Sequence, residues 1–312
     1  MQRMTPHPGR DERGAVKVMF ALLVVPLLGF AAISLDIAAM WHAKQQLQSG
    51  ADAAALAIAQ DCARGGCGNA PSTAGTLADA NLLTSDADAA VLNLTSSSVT
   101  VRTSTMQRHV FAPLLGFDED DVVAHATAAW GAPSGGTTVL PLAFSLCEWD
   151  AQTGGGQPSG TTQYTIYQTK SSGTDCTGPS GNLVPGGFGW VDSDPGRCGA
   201  TSTIGQRLSS DPGNNVPSGC GDVLRSLVDE TVLLPLFDQY GGNGTNAWYR
   251  VHGYAAFTLT GYHLSGHDVG TPCGGSERCI QGYFTRYVDL DDDFDSSPSA
   301  PRLGASLVRL TD

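Results

Sequence analysis

The chain has 312 residues, 41% hydrophobic and only 15% charged, with 39 glycines and 17 prolines; this is too apolar for a disordered chain and long enough for an anchor plus one large or two small domains. Net charge is −13, and residues 1–17 hold Arg3, Arg10, Arg13 and Lys17 against only Asp11 and Glu12, so the remainder is more acidic than the whole. Such a body repels phosphate backbones, and no Lys/Arg cluster is present to displace counterions, which excludes a nucleic-acid partner.

The first element is apolar. Val18–Leu35 reads VMFALLVVPLLGFAAISL without a charge, and Asp36 is followed by a further apolar stretch ending in Trp41. A hydrocarbon core of about 30 Å needs roughly 20 helical residues, so residues 18–41 are expected to span a bilayer, with Trp41 as an interfacial anchor. The basic residues precede the span. The positive-inside rule then places residues 1–17 in the cytoplasm and everything after the span outside. The alternative is a cleaved signal peptide with Gly29-Phe30-Ala31 as its small-x-small site. Against it, the apolar stretch is longer than a signal core and the helical pattern continues through that site. Export follows from either reading.

Beyond Asp36, Ile37, Met40, Lys44, Leu47, Ala51, Ala54, Ala55 and Ile58 fall near three-and-four spacing. That pattern predicts one continuous helix from Val18 to Gln60, about 65 Å long. Gly50 is its weak point, and Ala-rich residues 51–59 offer a narrow face for close packing. A short helix follows around Ala74–Leu83, then a strand at Ser97–Thr105, a short helix at Gln107–Gly116 and a second strand at Asp121–Trp130. Together these make a small α+β unit over residues 42–131. Ala132–Thr137, rich in Gly, Pro and Ser, reads as the internal boundary. From 138 to 312 strand signals dominate between Gly-rich loops. The exception is Asp222–Gln239, which begins with helical spacing before Pro235 ends it. The fold class expected is α+β, with a long transmembrane helix leading into that unit and then a β-rich, disulfide-bonded extracytoplasmic domain.

All eight cysteines, Cys62, Cys67, Cys147, Cys176, Cys198, Cys220, Cys273 and Cys279, follow the apolar segment. That distribution fits an oxidising compartment. Spacing suggests local pairs Cys62 with Cys67 and Cys273 with Cys279, with the other four pairing among themselves; buried free thiols are the alternative.

The segment Arg13–Gln60 carries a resemblance. Arg13-Gly14-Ala15-Val16 before the apolar helix, Asp36 at its outer end, and Gln46-Leu47-Gln48 followed by Ala51-Asp52-Ala53-Ala54-Ala55-Leu56-Ala57 resemble the N-terminal segment of TadE/TadG-like proteins of tight-adherence (Flp-type) pilus assembly. Phe111–Phe117 followed by VVAHATAAW is similar to what comes next in many TadG-related chains. The resemblance implies a pilin-like or assembly component whose partners are the lipid bilayer and other pilus-assembly proteins or pilin-like subunits. It also makes Gly14 the candidate processing position. Prepilin-type cleavage favours a Glu five residues into the mature chain, however, and that place holds Met19, which favours an uncleaved anchor.

No constellation argues for an enzyme. Asp289, Asp291 and Asp293, within VDLDDDFDSS, are the calcium candidates, because hard oxygens at alternate positions can surround the ion. The EF-hand pattern fails: its glycine position is Phe294 and its glutamate position Ala300. A solvated acidic loop accounts for the run. His263, His267, Cys273 and Cys279 assemble a zinc site on paper, but the surrounding glycines make a loop, and a disulfide is the simpler reading. Gly-x-Ser-x-Gly is absent, His252 with Asp268 is not a specific pairing, and no glycine loop is followed by the Lys-Ser/Thr of a phosphate loop. Asn93 and Asn243 head glycosylation triplets of the kind chance produces. No cofactor is called for.

Overall fold

The computed structural model describes residues 13–83, 87–169, 172–179, 181–213, 215–289 and 293–311. The chain is α+β and divides into two compact units, one of Met1–Ala54, Pro71–Leu92 and Val101–Ala126, the other of Ala55–Ala70, Asn93–Thr100 and Thr127–Asp312. Five elements run from one unit into the other.

Helix α1 (Arg13–Ala63) is unbroken over 51 residues, with Pro26 inside it. After it come α2 (Ala70–Asn81), β1 (Asp88–Leu94), β2 (Ser98–Arg108), a 3-10 turn (Ala112–Leu115) and β3 (Glu119–Thr138). In the first unit, buried positions on α1 follow helical spacing at Ala43, Leu47, Ala51 and Ala54, while those on β3 fall on every second residue at Val122, Ala124 and Ala126. These are the periods that put one face of a helix and one face of a sheet against a common core. The side chains are small, so helix and sheet come close. Thr103 Oγ1 donates to the Leu47 carbonyl at 2.9 Å, and Gln48 Nε2 donates to the His125 carbonyl at 2.8 Å. The helix expected over Gln107–Gly116 is not formed. Gln107 and Arg108 end β2, and only Ala112–Leu115 turn, with Pro113 near the start and Gly116 at φ +90° closing the turn. Pro pre-sets a turn, and Gly is free to take the left-handed conformation that ends one.

The second unit adds β4 (Leu142–Ser145), α3 (Leu146–Thr153), β5 (Tyr164–Tyr167), β6 (Cys176–Thr177), β7 (Leu183–Val184), β8 (Phe188–Trp190), β9 (Ala200–Thr203), β10 (Arg207–Ser209), α4 (Gly221–Ser226), β11 (Thr231–Gly241), β12 (Trp248–Leu264), β13 (His267–Val269), β14 (Cys279–Thr285), β15 (Tyr287–Asp289), β16 (Phe294–Ser297) and β17 (Ala305–Leu310). Its central sheet runs β5-β14-β12-β11-β4-β8, mostly antiparallel, with β11 and β4 parallel. Both faces are covered. Val232, Leu234 and Leu236 of β11 join one core with Phe144, Phe257 and Phe284, and Leu233 and Phe237 join the other with Tyr249 and Tyr254. The three rings of Phe144, Phe257 and Phe284 stand 4.8–5.7 Å apart in tilted and edge-on geometry, the arrangement aromatic quadrupoles favour.

This two-sided burial corrects the expectation for Asp222–Gln239. Only Gly221–Ser226 is helical, and Thr231–Gly241 is a strand with Pro235 opposite Tyr254. An apolar run buried on both faces has no period of its own, so VLLPLF reads equally as helix or strand. Pro235 is tolerated because the parallel ladder with β4 covers only Leu236 and Phe237, one step beyond it.

β3 runs on through Ala132–Thr137, the segment expected as the internal boundary, and pairs there with β16 at Ala132, Pro133, Gly135 and Gly136 and with β9 from Gly135 to Thr138. Its glycines serve close approach. A Cβ on Gly131 would lie 2.8 Å from the Ser297 carbonyl carbon, and one on Gly136 would lie 2.5 Å from the Phe294 ring, so the composition that read as a boundary marks neighbouring backbone and ring packed against the strand. The cysteines form four disulfides, Cys62–Cys67, Cys147–Cys176, Cys198–Cys220 and Cys273–Cys279.

Candidate functional site

The residues that stand apart from both cores are those of the first half of α1. Apart from the half-buried Val24, every large apolar side chain from Val18 to Leu35 is exposed, Leu22 at 71% and Phe30 at 68% among them. A helix apolar all round is at home in lipid or in a larger core. The best 18-residue window has a mean hydropathy of 2.6 with none of it buried, and among the described residues this is the one helix long and apolar enough to cross a membrane. Val18–Leu35 rises about 27 Å, close to the thickness of a hydrocarbon core.

Asp36 ends the run, and its side chain is not free. It is only 5% exposed. Oδ1 accepts the Val110 N–H at 2.8 Å, and Oδ2 accepts those of Phe111 at 3.0 Å and Ala112 at 2.7 Å. The short turn that begins at Ala112 has no side-chain cap of its own; a carboxylate from α1 supplies it, satisfying three consecutive donors that would otherwise need water. The loop is closed at its base by the His109 N–H donating to the Asp118 carbonyl at 3.0 Å. His109 Nε2 lies 3.2 Å from Asp120 Oδ2. Above this base Val110, Phe111, Leu114 and Phe117 are exposed, Leu114 at 87%. The sequence singled out Asp36 and the Phe111–Phe117 segment separately. Nothing in it joined them, and the segment itself was expected as part of a helix.

The other candidates do not assemble. Asp289 accepts the Tyr287 hydroxyl at 2.8 Å, Asp293 sits in the turn before β16, and Asp291 lies outside the described residues. Among the described residues, no three His, Cys, Asp or Glu side chains are grouped as for a metal ion. The zinc arrangement is overturned: Cys273 and Cys279 are consumed in a disulfide, and His263 Nδ1 lies 2.6 Å from Asp268 Oδ1. His252 is near Asp238, at 3.6 Å from Oδ2, rather than Asp268. A cavity of about 360 Å³ in the second unit is lined by Arg64, Gln157, Arg286 and Arg302. Arg286 is already engaged there, its Nε donating to the Pro158 carbonyl at 3.2 Å. That leaves the apolar helix, its carboxylate and the loop it holds.

Residues 14–61 match the family of putative Flp pilus-assembly TadE/G-like proteins. No curated protein and no solved structure matches the chain. The TadE/G-like segment takes in the apolar run, Asp36 and the small-residue outer half of α1, and it stops just before Cys62. Gly14 lies in the first turn of that helix. The 110–117 loop and the strands of the second unit lie outside the match.

Proposed function

We propose that this chain is a non-enzymatic, membrane-anchored component of tight-adherence pilus assembly, a minor pilin-like or assembly protein. In this reading residues 1–17 are cytoplasmic and 18–41 lie in the bilayer. Residues 42–131 form a pilin-like unit and 138–312 a β-rich domain, both outside. The observation that carries it is α1: one helix whose inner half is apolar and unburied and whose outer half packs through small residues, within a segment matching the TadE/G-like family. Four disulfides, all beyond the apolar run, support an oxidising location for the body. Met19, at the place where prepilin-type processing favours Glu, supports an anchor that keeps its N-terminus.

Deleting the gene should abolish surface pili, and restoring the full chain should return them. Normal pili in the deletion strain, with loss of a binding or hydrolytic activity instead, would sink the assembly role in favour of a tethered adhesin, ligand-binding module or enzyme. The intact mass of the membrane-extracted chain, measured without reductant, should include residues 1–14 and show no alkylatable thiol. Protease added to spheroplasts should remove the body and leave the N-terminus protected.

A further inference from the structure

We propose that the loop of residues 110–117 dips into the outer surface of the bilayer that α1 crosses, making a second, shallow membrane contact held in register by Asp36. The proposal rests on the reading of α1 as membrane-spanning.

Three observations carry it. The first is level. Asp36 is the first charge after the apolar run, and its two oxygens hold the N–H groups of Val110, Phe111 and Ala112 directly, so the loop backbone is tied to the height at which α1 leaves the hydrocarbon. Trp41, 67% exposed, lies about 7–8 Å further along the same helix, where an interfacial aromatic belongs.

The second is chemistry. Val110, Phe111, Leu114 and Phe117 present apolar side chains from one closed loop, the kind of surface that seats about 5–10 Å into the boundary between headgroups and acyl chains. The third is charge. Asp118, Glu119, Asp120 and Asp121 follow at once; Arg108 and Arg102 stand beside Glu119 and Asp121 at 3.9 Å and 3.3 Å. An acidic collar marks where the apolar tip ends. It also gives anionic headgroups nothing to attract, so the contact depends on apolar area and not on lipid charge.

The test uses the full-length protein in lipid nanodiscs, with an environment-sensitive fluorescent amino acid at position 114. Reference placements are position 23, inside the apolar run, and position 183, an exposed apolar site in the second unit. Side chain 114 makes little contact with the rest of the chain, so the replacement leaves the core intact. Phosphatidylcholine carrying bromine at shallow or deep acyl positions serves as quencher. Deep bromines should quench position 23, shallow bromines should quench position 114, and neither should quench 183. In Asp36→Ala, which removes both acceptor oxygens, position 114 should lose its quenching while position 23 keeps it; unchanged quenching at 114 would refute the clamp.

Quenching at 23 with none at 114 overturns the proposal and leaves the span standing. An emission shift at 114 that follows the number of protein copies per disc, and not bromine, identifies a second copy as the cover and also overturns it. Stronger quenching at 114 in phosphatidylserine would overturn the apolar basis of the contact. No quenching at either 23 or 114 removes the membrane-spanning reading itself and the proposal with it.

Discussion

Gly50 of α1 lies so close to α2 that a Cβ on it would come within 3.1 Å of the Ala78 Cα and 3.4 Å of the Asn81 Cβ. A glycine inside a helix costs roughly 0.5–1 kcal/mol relative to alanine, and here that cost is offset by the approach it permits. Gly50→Ala should therefore be near neutral, its gain in helix propensity cancelled by crowding against Ala78. Gly50→Leu should destabilise the first unit by about 1–3 kcal/mol, the usual penalty of overpacking. Urea unfolding of the detergent-solubilised chain, read by limited proteolysis between residues 71 and 126, measures both. A Gly50→Leu protein as resistant as the parent would show that the two helices do not depend on this contact.

Asp36 permits a second prediction, independent of any lipid. Its carboxylate accepts three consecutive backbone N–H groups, so Asp36→Ala leaves all three without their partner. Hydrogen exchange at Val110, Phe111 and Ala112 should accelerate, while exchange in β2 around Val101 and Thr103 stays as it was. Asp36→Asn, which keeps an acceptor oxygen but not the charge, should fall between the two. Equal exchange rates in all three proteins would mean that the loop closes through its own backbone bonds alone.

What the sequence disclosed follows from periodicity. α1 was legible from Val18 to Gln60 because its apolar and small residues repeat with the helical period, and β12 because Tyr249–Leu264 is rich in aromatic and β-branched residues. The register of β11 was not, since Val232–Phe237 is buried on both faces and carries no alternation. Ala132–Thr137 misled for a different reason: a glycine needed where another strand or ring comes close is, in sequence, the same letter as a glycine needed to turn. At the candidate site, Asp36 drew notice as a charge at the end of a span. Its partners are 74 to 76 residues away, and no single-sequence pattern links a side chain to backbone N–H groups at that distance.

The disulfides differ in what they should contribute. In the loop-closure account, stabilisation grows with the length of chain enclosed. Cys147–Cys176 spans 29 positions and Cys62–Cys67 only 5. Replacing the first pair by serine should cost about 3.5 kcal/mol and the second about 2 kcal/mol. Cys198–Cys220, spanning 22, should fall close to the larger value. Urea midpoints of the three double-serine proteins under non-reducing conditions give the ranking. A larger loss for Cys62/Cys67 than for Cys147/Cys176 would show that the short bridge acts through the folded state, by fixing the chain that leaves α1, and not through the entropy of the unfolded chain.

Tyr254 makes stability depend on alkaline pH. Its hydroxyl donates to the Ser202 carbonyl at 2.7 Å and lies 2.7 Å from the Ser202 hydroxyl, in the core of the second unit. Burial, opposed by the bond to Ser202, pushes its pKa up to about 12 from an ordinary value of 10.0. A folded-state pKa above the unfolded one means that the unfolded chain gives up this proton first. The stabilisation is therefore whole below pH 10 and is lost as pH rises through 12, at up to about 1.4 kcal/mol per pH unit. Tyr254→Phe should cost about 1–2 kcal/mol near pH 8, where a buried acceptor loses its donor, and should lack this slope. Unfolding midpoints of the two proteins, taken from pH 8 to above pH 11, should therefore converge as the parent loses its advantage, whereas a constant gap across that range would mean that the Tyr254 hydroxyl ionises alike in the folded and unfolded chains.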